Sequence, residues 1–183
     1  MDRAPDRRMK RPLSPLGALA RGILAGLVGS LAQSAFFAAT KKIAPKPPKD
    51  AFRPPEAAQR SEAETEVVAR RFVERLMQRG PIVHKAAGGH LVHYAFGSAW
   101  GAAYGVTTPS VRRMSTLRGG LAFGTLVWMV SDHLIVPGFR LAGWPQRYPM
   151  KNHAYALAAH LVYGAAVAAT FAIASGRSPL RAG

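Results

Sequence analysis

Cysteine is absent from the 183 residues of this sequence. Its absence excludes disulfide bonds, thiolate nucleophiles and metal sites with cysteine ligands. Several catalytic motifs are missing too: there is no nucleophile elbow, no P-loop, no dinucleotide-binding glycine fingerprint and no HExxH motif. These absences favour a protein that is not an enzyme.

Acidic residues are scarce, since 9 Asp and Glu stand against 25 Lys and Arg, for a formal net charge of +16. Such a charge is compatible with nucleic-acid binding. However, the basic residues lie in tails and loops that flank apolar blocks, where anionic lipid head groups attract them. We therefore expect a lipid bilayer as the partner, and no nucleic acid.

Lys and Arg are missing from four apolar blocks of about 18 residues or more, and Asp132 is the only acid within them. A soluble helical bundle rich in Ala and Gly is the alternative, but it would carry charges along its outer faces. The pattern predicts an all-α membrane protein with a bundle of four transmembrane helices. The predicted spans cover residues 22–39, 86–106, 119–136 and 154–175.

The remaining segments complete a membrane domain at 22–175. Residues 1–21 are predicted to be a disordered basic arm, and residues 176–183 a short tail. The arm and first block resemble a signal peptide, but the block is long for one and contains Gln33, so we expect a retained helix.

An amphipathic helix is predicted at about 61–79, in the first loop, with Ser61 and Glu64 forming a capping box. Its apolar face and its arginines suit a helix that lies on the bilayer surface. A soluble helix that caps the bundle is the alternative.

Small residues recur at every fourth position in the predicted spans, which places them on single helix faces. Such faces allow close helix–helix packing in membranes. The glycines expected to pack in this way are Gly22, Gly26, Gly97, Gly101, Gly105, Gly120, Gly124 and Gly164.

Two short repeats suggest that the chain consists of two duplicated helical hairpins. The segment at 21–25 resembles that at 118–122, and His90-Leu91-Val92 resembles His160-Leu161-Val162. The surface helix would then be an insertion in the first copy. The density of basic residues near the span ends favours cytoplasmic N- and C-termini.

These landmarks also resemble a known family. The glycine-rich first span, the histidine-bearing second span and the Pro137–Pro145 segment are similar to those of the YagU-type bacterial inner-membrane proteins. The resemblance implies a multi-pass protein of the bacterial inner membrane. It implies no catalytic residues, because the function of that family is uncharacterised.

Ionisable and hydroxyl side chains within the apolar blocks form the candidate site. Such groups are costly in lipid and usually face the interior of a bundle. The order of the spans places most of them at one side of the membrane. The predicted polar cluster comprises His90, His93, Tyr94, Asp132, His133, His160 and Tyr163.

Three roles for this cluster are open. The first is structural, with hydrogen bonds between helices in a protein of structural or interaction role. The second is a pathway for protons, ions or small solutes, with Asp132 as a relay group. The third is a metal or haem site, for example between His90 and His160. We predict no metal or cofactor, and a homo-oligomer or another membrane protein as a further partner.

Overall fold

The structure, a computed structural model, describes residues 13–46, 85–108, 116–139 and 142–177. These residues form helices and no strands. The helices are α1 (Pro15–Thr40), α2 (Lys85–Thr107), α3 (Thr116–Val130), a π-helix (Ser131–Ile135), α4 (Val136–Gly138), a 3-10 helix (Pro145–Arg147) and α5 (Met150–Ala174). The predicted amphipathic helix at 61–79 lies outside the described residues.

The helix α1 begins earlier than its apolar block. The Gly17 backbone N–H donates a 3.1 Å hydrogen bond to the Ser14 hydroxyl, and Pro15 occupies the first helical position. A serine cap followed by proline is a strong helix start, because the capping oxygen accepts an otherwise unpaired N–H group. Residues 15–21 of the predicted basic arm are therefore helical.

The helices α1 and α2 pack antiparallel through glycine. Cβ atoms built on Gly22 and Gly26 would overlap the carbonyl oxygens of Gly101 and Gly97, respectively. A Cβ on Gly105 would overlap the carbonyl oxygen of Ala18. Backbone therefore contacts backbone along three successive turns, which only residues without a Cβ permit.

The helices α3 and α5 pack antiparallel in a similar way. A Cβ on Gly120 would lie 2.7 Å from the Gly164 carbonyl oxygen, and one on Gly124 would overlap the carbonyl oxygen of His160. The two helix pairs contact each other through α1 and α5, where Gly29 leaves room for the side chains of Tyr163 and Val167. Tyr163 also donates a 2.6 Å hydrogen bond to the Gly97 carbonyl oxygen.

The end of α3 changes its hydrogen-bonding pattern. The Val136 N–H bonds to the Ser131 carbonyl oxygen, five residues back, and defines a π-helix that carries Asp132 and His133. Pro137 follows; it has no N–H group and clashes with the carbonyl four residues earlier in an α-helix. The wider π turn places the polar residues immediately before this proline.

The C-terminal end of α5 is capped in two ways. Gly176 has a φ of 67°, and Arg177 N–H bonds to the Ala172 carbonyl oxygen at 2.8 Å, as in a Schellman motif. The Arg21 side chain donates from Nε to the Ala174 carbonyl oxygen at 2.8 Å. This cation lies at the negative end of the α5 dipole, where positive charge is stabilising.

Ala, Gly, Ser and Val line most of the interior together with Tyr163 and Phe171, whereas no Leu or Ile of the described ranges is buried. The largest fully buried side chains are Val167 and Ser30, whereas Leu24, Leu31 and Leu126 are each about half exposed. A protein folded in water normally buries its leucines. This inverted arrangement is typical of helices that pack by small residues and face lipid.

Three helical segments are long and apolar enough to cross a membrane: Pro15–Thr40, Thr116–Gly138 and Met150–Ala174. Their positions match three of the four predicted spans, so the predicted all-helical membrane class is confirmed at this level. The helix α2 has 23 residues but is not among the candidate spans. Its His, Tyr, Ser and Gly residues lower its hydropathy, and the fourth span of the predicted bundle is not confirmed.

The two helix pairs do not follow the register of the sequence repeats. Gly97 lies opposite Gly26 in the first pair, and His160 lies opposite Gly124 in the second. The packing therefore makes Gly97 and His160 equivalent. The repeats instead align His90 with His160, which is two helical turns away from this packing correspondence. The duplication is therefore not confirmed.

Candidate functional site

The predicted polar residues lie towards one end of the helices in two adjacent groups, and His93 of the first lies close enough to His160 of the second to interact with it electrostatically. One group lies on α2 against α1 and contains His90, His93 and Tyr94. The other lies where the π-helix meets the start of α5 and contains Asp132, His133 and His160. Tyr163 belongs to neither group, because its hydroxyl donates to the Gly97 carbonyl oxygen in the core.

The α2 group makes weak contacts with α1. The His93 Nε2 atom lies 3.4 Å from the Ser30 carbonyl oxygen, which can only accept, so Nε2 carries the proton in this contact. The Tyr94 hydroxyl lies 3.5 Å from that of Ser34. His90 is exposed and stacks on Tyr94 at a ring distance of 6.4 Å. These contacts tie α2 to α1.

The second group is centred on one carboxyl group. Asp132 is the only Asp or Glu after Glu74 in the sequence, and its Oδ1 lies 3.9 Å from Nε2 of His160. His160, His133 and His153 all lie close enough to act on this carboxyl electrostatically. We call Asp132, His133, His153 and His160 the histidine–aspartate cluster.

The hydrogen bond of His160 fixes which of its nitrogens can exchange a proton with Asp132. Its Nδ1 lies 2.9 Å from the Ala156 carbonyl oxygen and must donate to it. A proton on Nε2 therefore makes the ring cationic, whereas a bare Nε2 leaves it neutral. One proton placed between the pair resides either on Nε2 of His160 or on the carboxyl group of Asp132.

The neighbouring imidazoles stack. The rings of His133 and His153 are 5.6 Å apart and nearly parallel, and Trp128 packs edge-on against His133 at 4.5 Å. His153 donates from Nε2 to the Pro145 carbonyl oxygen at 3.0 Å. The stack thus links the π-helix to the Pro145–Arg147 turn.

Several buried polar atoms around the π-helix have no hydrogen-bond partner. They are Trp128 Nε1, Ser131 Oγ, His133 Nδ1 and Asn152 Oδ1. Buried groups of this kind usually bind a protein group or an ordered water. Four of the six unpartnered buried atoms of the described residues thus belong to the end of α3, the π-helix and the start of α5.

Sequence reasoning missed two residues that the structure brings into these contacts. His153 lies two helical turns before His160 on α5, a spacing that could have indicated a shared helix face. Gly29 follows Gly22 and Gly26 but contacts Tyr163 and Val167 of α5 rather than α2. No sequence pattern predicts that Gly29 contacts a different helix from Gly22 and Gly26.

A metal site is not evident in the described ranges: they contain no group of three or more His, Asp or Glu residues arranged to hold an ion. His160 contacts Asp132 and His90 stacks on Tyr94, so each residue of the predicted haem pair has a different neighbour.

Comparisons with known proteins give no relative from which a function could be transferred. No protein-family model matches the sequence, and no curated protein or solved structure matches it significantly.

Proposed function

We propose that this chain is an integral protein of the bacterial inner membrane, with both termini in the cytoplasm and with a structural or interaction role rather than an enzymatic one. The observation that carries the membrane placement is the exposure of leucines beside buried small residues. Leu24 and Leu31 are about half exposed, whereas Ala25 and Ser30 are fully buried on the same helix. The resemblance to YagU-type proteins supports the same placement.

We include α2 as a fourth span in this proposal. Its 23 residues are long enough to cross a hydrocarbon core of about 30 Å. Two of its glycines are sheltered, because Gly97 and Gly101 face the backbone of α1. Neighbouring helices can therefore hold in the membrane a segment that would cross poorly alone. A pair of duplicated hairpins, one with the surface helix inserted, remains our proposal for the origin of the chain.

The structural role is supported by polar contacts that each join two helices. Tyr163 of α5 bonds to the Gly97 carbonyl of α2, and the Thr40 hydroxyl lies 2.8 Å from that of Tyr155. Hydrogen bonds of this kind stabilise membrane helix association by about 0.6–2 kcal/mol each. They hold a small scaffold together without requiring any chemistry.

Membrane extraction tests this placement. The full chain is expressed in bacteria with a C-terminal tag, and membranes are washed with alkaline carbonate. We expect the protein to stay in the membrane pellet, and the tag to be protected from protease added to the periplasm. Release into the supernatant would contradict the membrane placement, and cleavage of the tag from the periplasm would reverse the orientation.

Translocation of protons or ions is the second candidate function, and the contact of Asp132 with His160 favours it. Proton pathways in membrane proteins use carboxyl and imidazole groups that share protons. The unpartnered buried atoms next to Asp132 provide positions where ordered water could extend such a pathway.

Flux in liposomes tests the second candidate. We expect Asp132→Asn to abolish a pH-driven proton flux, whereas His90→Gln, which alters an exposed imidazole, leaves it unchanged. Absence of flux in the unaltered protein would exclude this function. The same preparation reports on the haem or metal alternative, because a Soret absorption band or stoichiometric metal would establish a cofactor.

A further inference from the structure

A cleft lies where the end of α1 meets the beginning of α5. It has a volume of about 440 Å³ and is lined by Ile43, Ala44, Pro45, Lys46, Lys151 and Tyr155. We call it the lysine cleft. It combines two ammonium groups with an apolar wall, which is the composition that a charged head group on an acyl chain requires.

The two lysines of the cleft are exposed and lack carboxylate partners in the described ranges. Asp132 is the only acidic residue in those ranges, and it lies against His160. Lys151 also belongs to the first turn of α5, which Pro149 leaves without a side-chain cap. The positive end of the helix dipole therefore adds to the charge of the lysines.

The floor of the cleft is held in place by hydrogen bonds. The Thr40 hydroxyl donates to the Phe36 carbonyl oxygen at 2.6 Å, so it must accept the proton of the Tyr155 hydroxyl at 2.8 Å. The Tyr155 ring also packs on Phe36 at 5.5 Å. Because Tyr155 has used its only donor, an anion in the cleft would be bound by the lysines.

The position of the cleft indicates which kind of ligand it binds. It lies at the ends of two helices that are long and apolar enough to cross a membrane. The ends of such helices lie at the level of the lipid head groups, where Lys and Arg side chains attract anionic phospholipids. Ile43 is 78% exposed beside the lysines, which offers an apolar contact for an acyl chain.

We propose that the lysine cleft binds the phosphate of an anionic phospholipid through Lys46 and Lys151. The inference rests on the membrane placement proposed above. That placement is tested separately by carbonate extraction, so a protein that stays in the membrane but ignores anionic lipid would contradict the cleft alone.

Lipid binding to the full chain in a neutral detergent tests this proposal. Phosphatidylglycerol, phosphatidylcholine and inorganic phosphate are titrated separately, and bound lipid is counted by native mass spectrometry. We expect phosphatidylglycerol to bind best, and Lys46→Gln with Lys151→Gln to weaken its binding on the order of tenfold. Lys46→Arg with Lys151→Arg, which keeps both charges, should retain binding.

The matched control is Lys41→Gln with Lys42→Gln. This pair removes the same charge at the same end of α1, and both residues are exposed outside the cleft. We expect it to bind phosphatidylglycerol nearly as well as the unaltered chain. Equal weakening by both glutamine pairs would reduce the effect to general charge attraction and overturn the site. Equal binding of inorganic phosphate would make the ligand a free anion, and loss of binding in the arginine pair would also contradict the proposal.

Discussion

Both antiparallel helix pairs bring two backbones into close contact, but they do so with different residues. Between α1 and α2, Gly26 faces Gly97, and glycine is present on both sides. Between α3 and α5, Gly120 likewise faces Gly164, but one turn further along Gly124 faces His160, and there only one side lacks a Cβ. At that turn, close approach requires a missing Cβ on one helix alone. The position opposite Gly124 can therefore hold a large side chain, and the imidazole of His160 contacts Asp132.

The first prediction breaks the contact between α1 and α2, where glycine faces glycine at successive turns. Gly101→Leu would drive a side chain into the Gly22 carbonyl and the Gly26 backbone, and backbone atoms cannot rotate away. We expect a loss of about 3 kcal/mol or more in the free energy of unfolding. Unfolding by denaturing detergent in mixed micelles, followed by tryptophan fluorescence, measures it.

Gly138→Leu is the control for this measurement, since a Cβ at Gly138 has no atom of the described residues within 4 Å. The control should change stability by a few tenths of a kcal/mol at most, as exposed substitutions usually do. If both leucine variants unfold at the same detergent fraction, close packing of α1 on α2 does not stabilise the protein.

The second prediction concerns the turn of α3 at Gly124, where α5 presents His160 rather than glycine. Gly124→Ala would place its methyl group against the His160 carbonyl oxygen, at a cost of about 1–3 kcal/mol. The neighbouring Gly119→Ala meets only the Tyr104 hydroxyl at 3.9 Å, an ordinary contact. The Gly119 variant should equal or exceed the parent in stability, because alanine favours helix. The reverse order of the two variants would refute the register of α3 on α5.

The third prediction separates the backbone of His160 from its side chain, and its effect is the smallest. His160→Ala keeps the carbonyl that faces Gly124 and removes the side-chain contacts with Asp132 and with the Ala156 carbonyl oxygen of its own helix. We expect a loss below about 1 kcal/mol, because this charge contact is partly exposed and 3.9 Å long. A loss as large as that of Gly124→Ala would mean that the imidazole, rather than the glycine, holds α3 against α5.

Much of the helical architecture follows from the distribution of charge and glycine. Apolar blocks without Lys or Arg mark the three candidate spans, and the four-residue spacing of Gly22 and Gly26 identifies a packed face. The start of α1 at Pro15 was missed because the arginines of the arm suggested disorder, although Ser14-Pro15 is a helix-start signal.

The site is less predictable, because it depends on the hydrogen bonding of one helical turn and on the register between helices. Pro137 predicts an interruption but not the π-helix that carries Asp132 and His133. The sequence repeats align His90 with His160, whereas packing places Gly97 in the corresponding position. Interhelical register depends on backbone contacts over several turns, and short repeats do not encode it.

The most direct test of the account asks whether the exposed leucines face lipid. The chain has no native cysteine, so a single Leu24→Cys variant can be labelled cleanly in membranes opened to both sides. Lys41→Cys, at the end of α1, is the control that faces water. We predict rapid labelling of the Lys41 variant by a water-soluble maleimide, and labelling of the Leu24 variant only after denaturation. Equal labelling of both variants in the native membrane would contradict the account.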